Sequence, residues 1–429
     1  MSARNTLSST TELAVMARIK ASAVADLKAQ IDQVTSKPDE FASGIVYVAV
    51  NKQGELIFEH ASGQAGLGRK EKMTMDHTFW IASCTKMITG IACMQLVEQG
   101  KLALDDAKLV EKLAPELKEK QVFDGKNLHD KERDITLRML LSHTAGFAYS
   151  FFDQRLQDYY GPAGVNEFSG LPYDYLSQPL VNQPGTVWEY GINIDWAGIL
   201  VERASGLKLN DYFQQHILEP MKLTHINMFP TDDMRQNLAW MHSRDLHTGK
   251  LKLSIDGHLN RAPLVAKTQA EKDAIFQQGG AGCFARPNQY AQIIAMLLND
   301  GEHAPTGARI LKKETVDAMF TNQIPDFPNF GRQPISPPKP EYSNALSELY
   351  PEPHDIPQGW GLTFFLHLKQ SAVHSEGTGW WAGLPNLFWW ADRQKGIGGM
   401  IASQILPFGD PNVLNLWGQV EGGIYAALE

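Results

Sequence analysis

WIASCTK, residues 80–86, places a lysine three positions after a serine at the end of an apolar run. If the chain turns helical at Ser83, positions i and i+3 share one face about 5 to 6 Å apart, and the Lys86 amine reaches the Ser83 hydroxyl. Serine is a weak nucleophile until a base lies within hydrogen-bond reach. A lysine becomes that base when burial or neighbouring positive charge lowers its pKa. Ile81 and Ala82 precede the serine, and Met87, Ile91, Met94 and Val97 continue a helical apolar spacing to the stop at Gly100. Taken alone the pair reads more simply as a helix cap beside a solvated lysine.

Around this segment the periodicity changes several times. Helical spacing opens the chain over about residues 11–34, through Leu13, Met16, Ile19, Val24, Leu27 and Ile31. GIVYVAVNKQGELIFEHASG (44–63) gives two β-rich runs around NKQG, a hairpin signal. From about 101 to 275 helix and loop signals dominate, and PNLFWWADRQKGIGGMIASQIL (385–406) reads as two strands joined by a charged turn. The last stretch, 410–429, carries Val413, Leu416, Val420, Ile424 and Leu428 at helical spacing. The pattern predicts an α/β (α+β) fold in which one antiparallel sheet, assembled from distant segments, is flanked by helices and joined by a mostly helical second subdomain. The corresponding division is an N-terminal helical segment (1–39), a sheet subdomain (40–100 and 276–429) and a helical subdomain (101–275). Between Gln323 and Gly359 the chain carries nine prolines, a density that excludes helix and interior strand and leaves a lid or a surface excursion.

Composition narrows the chemistry. With 43% hydrophobic and 20% charged residues the chain is an ordinary globular protein. A net charge of −9 with no cluster of cations argues against nucleic acid as a partner. No apolar run approaches the roughly 18 to 20 residues that span a bilayer, so no membrane contact is expected. The N-terminus lacks a signal-peptide pattern, and Cys84, Cys93 and Cys283 suit neither a disulfide framework nor a zinc motif. A cytoplasmic, reduced protein follows as the expectation. The 13 histidines form no H-x-x-x-H or H-E-x-x-H, so neither a metal nor another cofactor is expected.

Two further stretches carry possible chemistry. WEYGINIDWAG (188–198) holds Tyr190 and Asn193 between Trp188 and Trp196. A buried tyrosine hydroxyl needs a polar partner, and beside a lysine it could be partly phenolate; a core tyrosine among tryptophans is the plainer alternative. SEGTGWWAGLPN (375–386) is a glycine-rich turn entering a strand, where small residues let backbone N–H groups approach a ligand. Two such groups aimed at one carbonyl oxygen form an oxyanion hole.

Together and in this order, S-x-x-K, the tyrosine motif and a glycine-bearing strand near the C-terminus resemble the serine β-lactamase and penicillin-recognising family, in its class C-like branch, and the family VIII carboxylesterases. ASCTKMITGIACMQLVEQGKLALDD, ITLRMLLSHTAGF and WEYGINIDWAGILVERASGL look like fungal acyltransferases of the simvastatin synthase type. The resemblance implies Ser83 as the acylated nucleophile, Lys86 and Tyr190 as the proton-transfer pair, and the Ser83 and Leu384 N–H groups as oxyanion donors. WAGL (381–384) falls where the esterases have W-G-G and the β-lactamases K-T-G; EGT (376–378) is the other register, disfavoured because its glutamate would repel an oxyanion. Trp381 cannot supply the charge of the K-T-G lysine, so the pocket should take neutral, apolar acyl groups, with Asn193, Trp381, Gly383 and Trp360 contacting substrate. The partner implied is a small-molecule ester or thioester, with an acyl carrier as a further candidate. Hydrolysis ranks ahead of transfer to a polyketide-type alcohol, then β-lactamase activity, then a catalytically dead scaffold. His143, Gly280 and Gly282 are expected to serve structure, and Cys84 to be packed.

Overall fold

In the computed structural model, which describes residues 17–348 and 353–429, helix α1 (Ala21–Thr35) leads into the expected hairpin, β1 (Gly44–Asn51) and β2 (Leu56–Gly63). Gly54 turns it at φ +83°, and the Asn51 side chain accepts from the amides of Gln53 and Glu55. There follow α2 (Thr85–Glu98), α3 (Asn193–Ser205) and α4 (Pro287–Leu298). The remaining strands come late: β3 (Gln358–Trp360), β4 (Phe365–His367), β5 (Gly379–Gly383), β6 (Leu387–Asp392) and β7 (Ile397–Ala402). Helix α5 (Pro411–Ala426) closes the chain, its first turn capped by Asp410.

The strands form one antiparallel sheet in the order β3-β4-β5-β6-β7-β1-β2. β1 pairs with β7 from Val46–Ala402 to Asn51–Ile397, so the hairpin near the start completes a sheet built from the end of the chain. Val46, Val48 and Val50 point into a core shared with Ile294 of α4, whereas Ile45, Tyr47 and Ala49 meet Leu27 and Ile31 of α1 and Val413, Leu416, Val420 and Ile424 of α5. Strand side chains alternate faces, so a strand covered on both sides must be apolar throughout. At about 1.5–3 kcal/mol for each fully buried Val or Ile, this run selects the covered position for β1.

Two boundaries differ from expectation. The first helix starts at Ala21; residues 11–16 of the expected helix lie outside the described residues, and Ile19 instead bridges Leu428 in antiparallel pairing. That pairing also takes Leu428 out of α5. The proline-rich stretch is irregular through its described part, with isolated bridges Ile335–Leu346 and Ser343–Phe408, but β3 begins inside it at Gln358, one residue after Pro357. It is fastened at Lys339, which donates to Ser150 Oγ (2.8 Å) and the Val165 carbonyl (2.9 Å), and at Tyr342, which packs edge-on against Phe151 and Phe168. No helix among the described residues is long and apolar enough to cross a membrane.

Candidate active site

Ser83 sits in a single helical turn, Ala82–Cys84, that opens α2. The preceding Ala82 is buried with φ +43°, a conformation that L-residues rarely adopt. It is held by its surroundings: Ile81 donates to the Cys283 carbonyl (3.0 Å), Trp80 Nε1 to the Ala281 carbonyl (2.7 Å), and Tyr290 to the Cys84 carbonyl (2.8 Å). The serine therefore projects from a turn that packing presets. Cys84 is buried within the same turn, and burial pushes its thiol pKa up, which keeps it protonated.

One turn along α2, Lys86 is wholly buried. Its Nζ donates to Ser83 Oγ (3.1 Å), the Tyr149 hydroxyl (3.1 Å) and the Gly280 carbonyl (2.9 Å), and lies 4.7 Å above the Tyr190 ring. Burial lowers the amine from its ordinary value to about 7, against the opposing pull of the Asp195 carboxylate. Asp195, itself buried and bonded to the Gly280 amide at 2.9 Å, is raised to about 6 by burial. Neither Tyr149 nor Asp195 is singled out by the sequence pattern.

Tyr190 completes the cluster. Its hydroxyl bonds to the Ser83 side chain and accepts from Trp381 Nε1 at 3.0 Å. The phenolate considered for it is disfavoured, because burial raises the phenol well above its ordinary value despite both hydrogen bonds. The lysine is thus the group poised to exchange a proton near neutrality.

Asn193 and Trp360, expected to contact substrate, lie behind the site. The Asn193 amide is fully buried and donates to His143 Nδ1 (3.0 Å) and to the carbonyls of Phe147 and Glu189 (both 3.2 Å). Asn193 is the first residue of α3, and its side chain folds back onto the segment that carries His143 and Phe147. Trp360 is also fully buried, donating to the Leu141 carbonyl at 3.1 Å, with its ring 4.5 Å from Trp381. His143 packs 4.6 Å from the Tyr190 ring, and burial holds its pKa well below the ordinary value, so it is a neutral acceptor buried behind the site.

Trp381, Gly383 and Leu384 do reach the site. They line, with Ser83 and Tyr190, a cavity of about 400 Å³. β4 pairs with β5 only at Gly379 and Trp380, so the edge from Trp381 onward is free to approach the Ser83 turn. A Cβ at Gly383 would come within 2.5 Å of the Ile81 carbonyl, hence only glycine lets this strand lie so close to Ser83. Aromatic side chains such as Phe151, Phe168, Trp380 and Trp417 make much of the wall, and Leu346–Glu348 of the proline-rich stretch add to it. Among the described residues no cluster of His, Cys, Asp and Glu could hold a metal ion.

The family model described as Beta-lactamase matches residues 41–420. The chain is 32% identical over 383 residues to the lovastatin esterase of Penicillium rubens, covering 85% of this chain and 90% of that one. It is 29% identical over 410 residues to the monacolin J acid methylbutanoyltransferase of Aspergillus terreus, covering 89% and 91%. Among solved structures it superposes on unliganded simvastatin synthase from Aspergillus terreus with a TM-score of 0.74 at 27% identity, over 95% of this chain and 99% of that one. The chain is accordingly an enzyme of the serine hydrolase and acyltransferase kind, and it belongs to the beta-lactamase family.

Proposed function

We propose that the protein hydrolyses esters with hydrophobic acyl groups through an acyl-enzyme on Ser83. The observation that carries this reading is the buried Lys86 amine, bonded at 3.1 Å to Ser83 Oγ. A neutral amine has two N–H bonds and one lone pair. With the N–H bonds directed to the Gly280 carbonyl and the Tyr149 hydroxyl, the lone pair faces Ser83. Ser83 Oγ attacks the ester carbonyl as its proton passes to Lys86, and the oxyanion is held by the Ser83 and Leu384 N–H groups. The C–O bond to the alcohol breaks as the Tyr190 phenol gives its proton to the leaving oxygen, and Lys86 returns a proton to Tyr190. Water then repeats the sequence on the acyl-enzyme and releases the acid.

In this reading the sheet subdomain (40–100 and 276–429) supplies Ser83, Lys86 and the oxyanion strand, the helical subdomain (101–275) supplies Tyr190, and α1 of the N-terminal segment (1–39) braces the sheet. Gly383 and Trp381 bound the acyl pocket. The substrate is a small polyketide-type ester handled in the cytoplasm without nucleic acid or membrane. The relative named lovastatin esterase supports hydrolysis.

Acyl transfer to a polyketide-type alcohol, from an ester or from a thioester on an acyl carrier, is the second reading. The aromatic cavity favours it, because an acceptor lodged there displaces the water that deacylation needs. The relative named for methylbutanoyl transfer is of this kind. The test is intact-mass detection of a butyryl adduct after incubation with p-nitrophenyl butyrate, followed by product partitioning as a bulky apolar alcohol is added. Absence of both adduct and turnover overturns the function. Release only when alcohol is present makes the protein a transferase.

A further inference from the structure

Two buried groups of opposite charge meet the same glycine. The Gly280 carbonyl accepts from Lys86 Nζ at 2.9 Å, and the Gly280 amide donates to Asp195 Oδ1 at 2.9 Å. Lys86 and Asp195 are 0% and 1% exposed, so neither charge is screened by solvent. The turn between them has no slack. A Cβ at Gly280 would lie 2.6 Å from Asp195 Oδ2 and 2.9 Å from the Tyr149 hydroxyl. The neighbouring Gly279 carbonyl accepts from Thr89 Oγ1 of α2 at 2.6 Å, and a Cβ at Gly279 would lie 2.6 Å from the Ile194 carbonyl of α3. The turn is thus wedged between the helix that bears the lysine and the helix that bears the aspartate.

We infer that Asp195, held by the Gly280 amide, is the positioning residue that keeps Lys86 basic enough to take the Ser83 proton and stabilises the ammonium so formed. This rests on the reading of Lys86 as the base. Asp195 is not part of the cavity wall and acts through Lys86.

The other groups around the pair are neutral at pH 7. Burial raises the hydroxyls of Tyr149, Tyr175 and Tyr190 and the Cys84 thiol, and lowers His143. Glu167, which acts on Asp195 at longer range, is raised by burial and spends its oxygens on Ser150. Among the described residues Asp195 is therefore the carboxylate whose charge bears on Lys86. Burial alone would leave that amine neutral but a poor base. A carboxylate on the far side of a single glycine residue restores basicity without admitting water.

The experiment is single-turnover acylation by p-nitrophenyl butyrate between about pH 5 and 9 for the wild type, Asp195→Asn, Gly280→Ala and Lys86→Ala. Asp195→Asn keeps an oxygen for the Gly280 amide and loses only the charge. Its acid limb should move to lower pH by about one unit, because the unassisted ammonium gives up its proton more readily. Its plateau should fall about tenfold, in step with the weaker base. A merely structural role would lower the rate equally at every pH; an unmoved limb overturns the inference. If Asp195→Asn does not fold, Gly280→Ala, whose methyl group pushes the carboxylate off the turn, should move the limb the same way, and an unmoved limb there is equally fatal. Lys86→Ala separates the two readings. Acylation within tenfold of wild type would remove Lys86 as the base, whereas an inactive Lys86→Ala beside an unmoved Asp195→Asn limb would overturn the role of Asp195 alone.

Discussion

The Lys86 amine lies 3.1 Å from the Ser83 hydroxyl one helical turn away, and the same nitrogen is tied to Tyr149 and Gly280, which stand 63 and 194 positions along the chain. Every step of the proposed mechanism depends on this hydroxyl. Ser83→Ala should lose at least about 10³-fold in kcat on p-nitrophenyl butyrate and form no acyl adduct, with unchanged circular dichroism. Turnover within tenfold of wild type would remove Ser83 from the mechanism.

Tyr149 and Tyr190 both bear on this pair, but only Tyr190 bonds to the serine. Tyr190→Phe should therefore cost about 10²-fold or more in kcat, and Tyr149→Phe about tenfold. Members of one proton-transfer unit act non-additively, so the double variant should fall well short of the product of the single losses. Full multiplicativity would show two independent groups.

Trp381 and Trp360 touch each other, yet they should fail differently. Trp381→Phe removes the donor to the Tyr190 hydroxyl while keeping a ring in the wall, and kcat should drop about tenfold with a smaller change in KM. Trp360→Phe removes one of the two donors to the Leu141 carbonyl, which keeps the Thr363 amide at 3.0 Å, and should cost about 0.5–1.5 kcal/mol in chemical denaturation, with kcat per folded molecule little changed. The reverse pattern would return Trp360 to the substrate pocket.

The rate should rise with pH as Lys86 loses its proton. Burial sets that transition near 7, and only the neutral amine can accept from Ser83. Below the transition kcat/KM should therefore fall about tenfold per pH unit, and above it level off. The apparent value belongs to the Lys86–Asp195 pair. A profile flat from about pH 5 to 9 would contradict a lysine base.

The relation of Ser83 to Lys86 is legible in the sequence because it is local: helical geometry alone converts a spacing of three into contact. β1 is legible for a similar reason, since an unbroken apolar run of strand-forming residues fits only a strand covered on both faces. Tyr149, Gly280 and Asp195 are not, because nothing in AYSFFD, QQGGAG or NIDWAG records that three remote segments converge on one amine. Asn193 misleads because the motif gives its neighbourhood but does not record that its amide turns onto His143 and Phe147. Trp360 misleads because a tryptophan beside a pocket and one behind it look alike in a string of letters.

Lys339 offers a test of the proline-rich stretch. Its ammonium bonds to Ser150 Oγ, which in turn donates to the buried Glu167 carboxylate at 2.8 Å. Lys339→Met should release the wall formed by Leu346–Glu348, raising KM severalfold for bulky esters, sparing kcat on p-nitrophenyl butyrate and speeding chymotrypsin cleavage within the stretch. Unchanged KM and unchanged proteolysis would make the segment a passive excursion.

The anchors of that stretch, Lys339 and Tyr342, engage Ser150, Val165, Phe151 and Phe168, and leave the helix bearing Ser83 and Lys86 untouched. The portion of the wall contributed by Leu346–Glu348 is accordingly secured without a bond to the reacting groups. A graft of residues 323–359 from a relative should therefore reshape one side of the cavity while the bonds around Lys86 stay as they are, so this contiguous cassette can be exchanged separately from the groups that bear on Ser83.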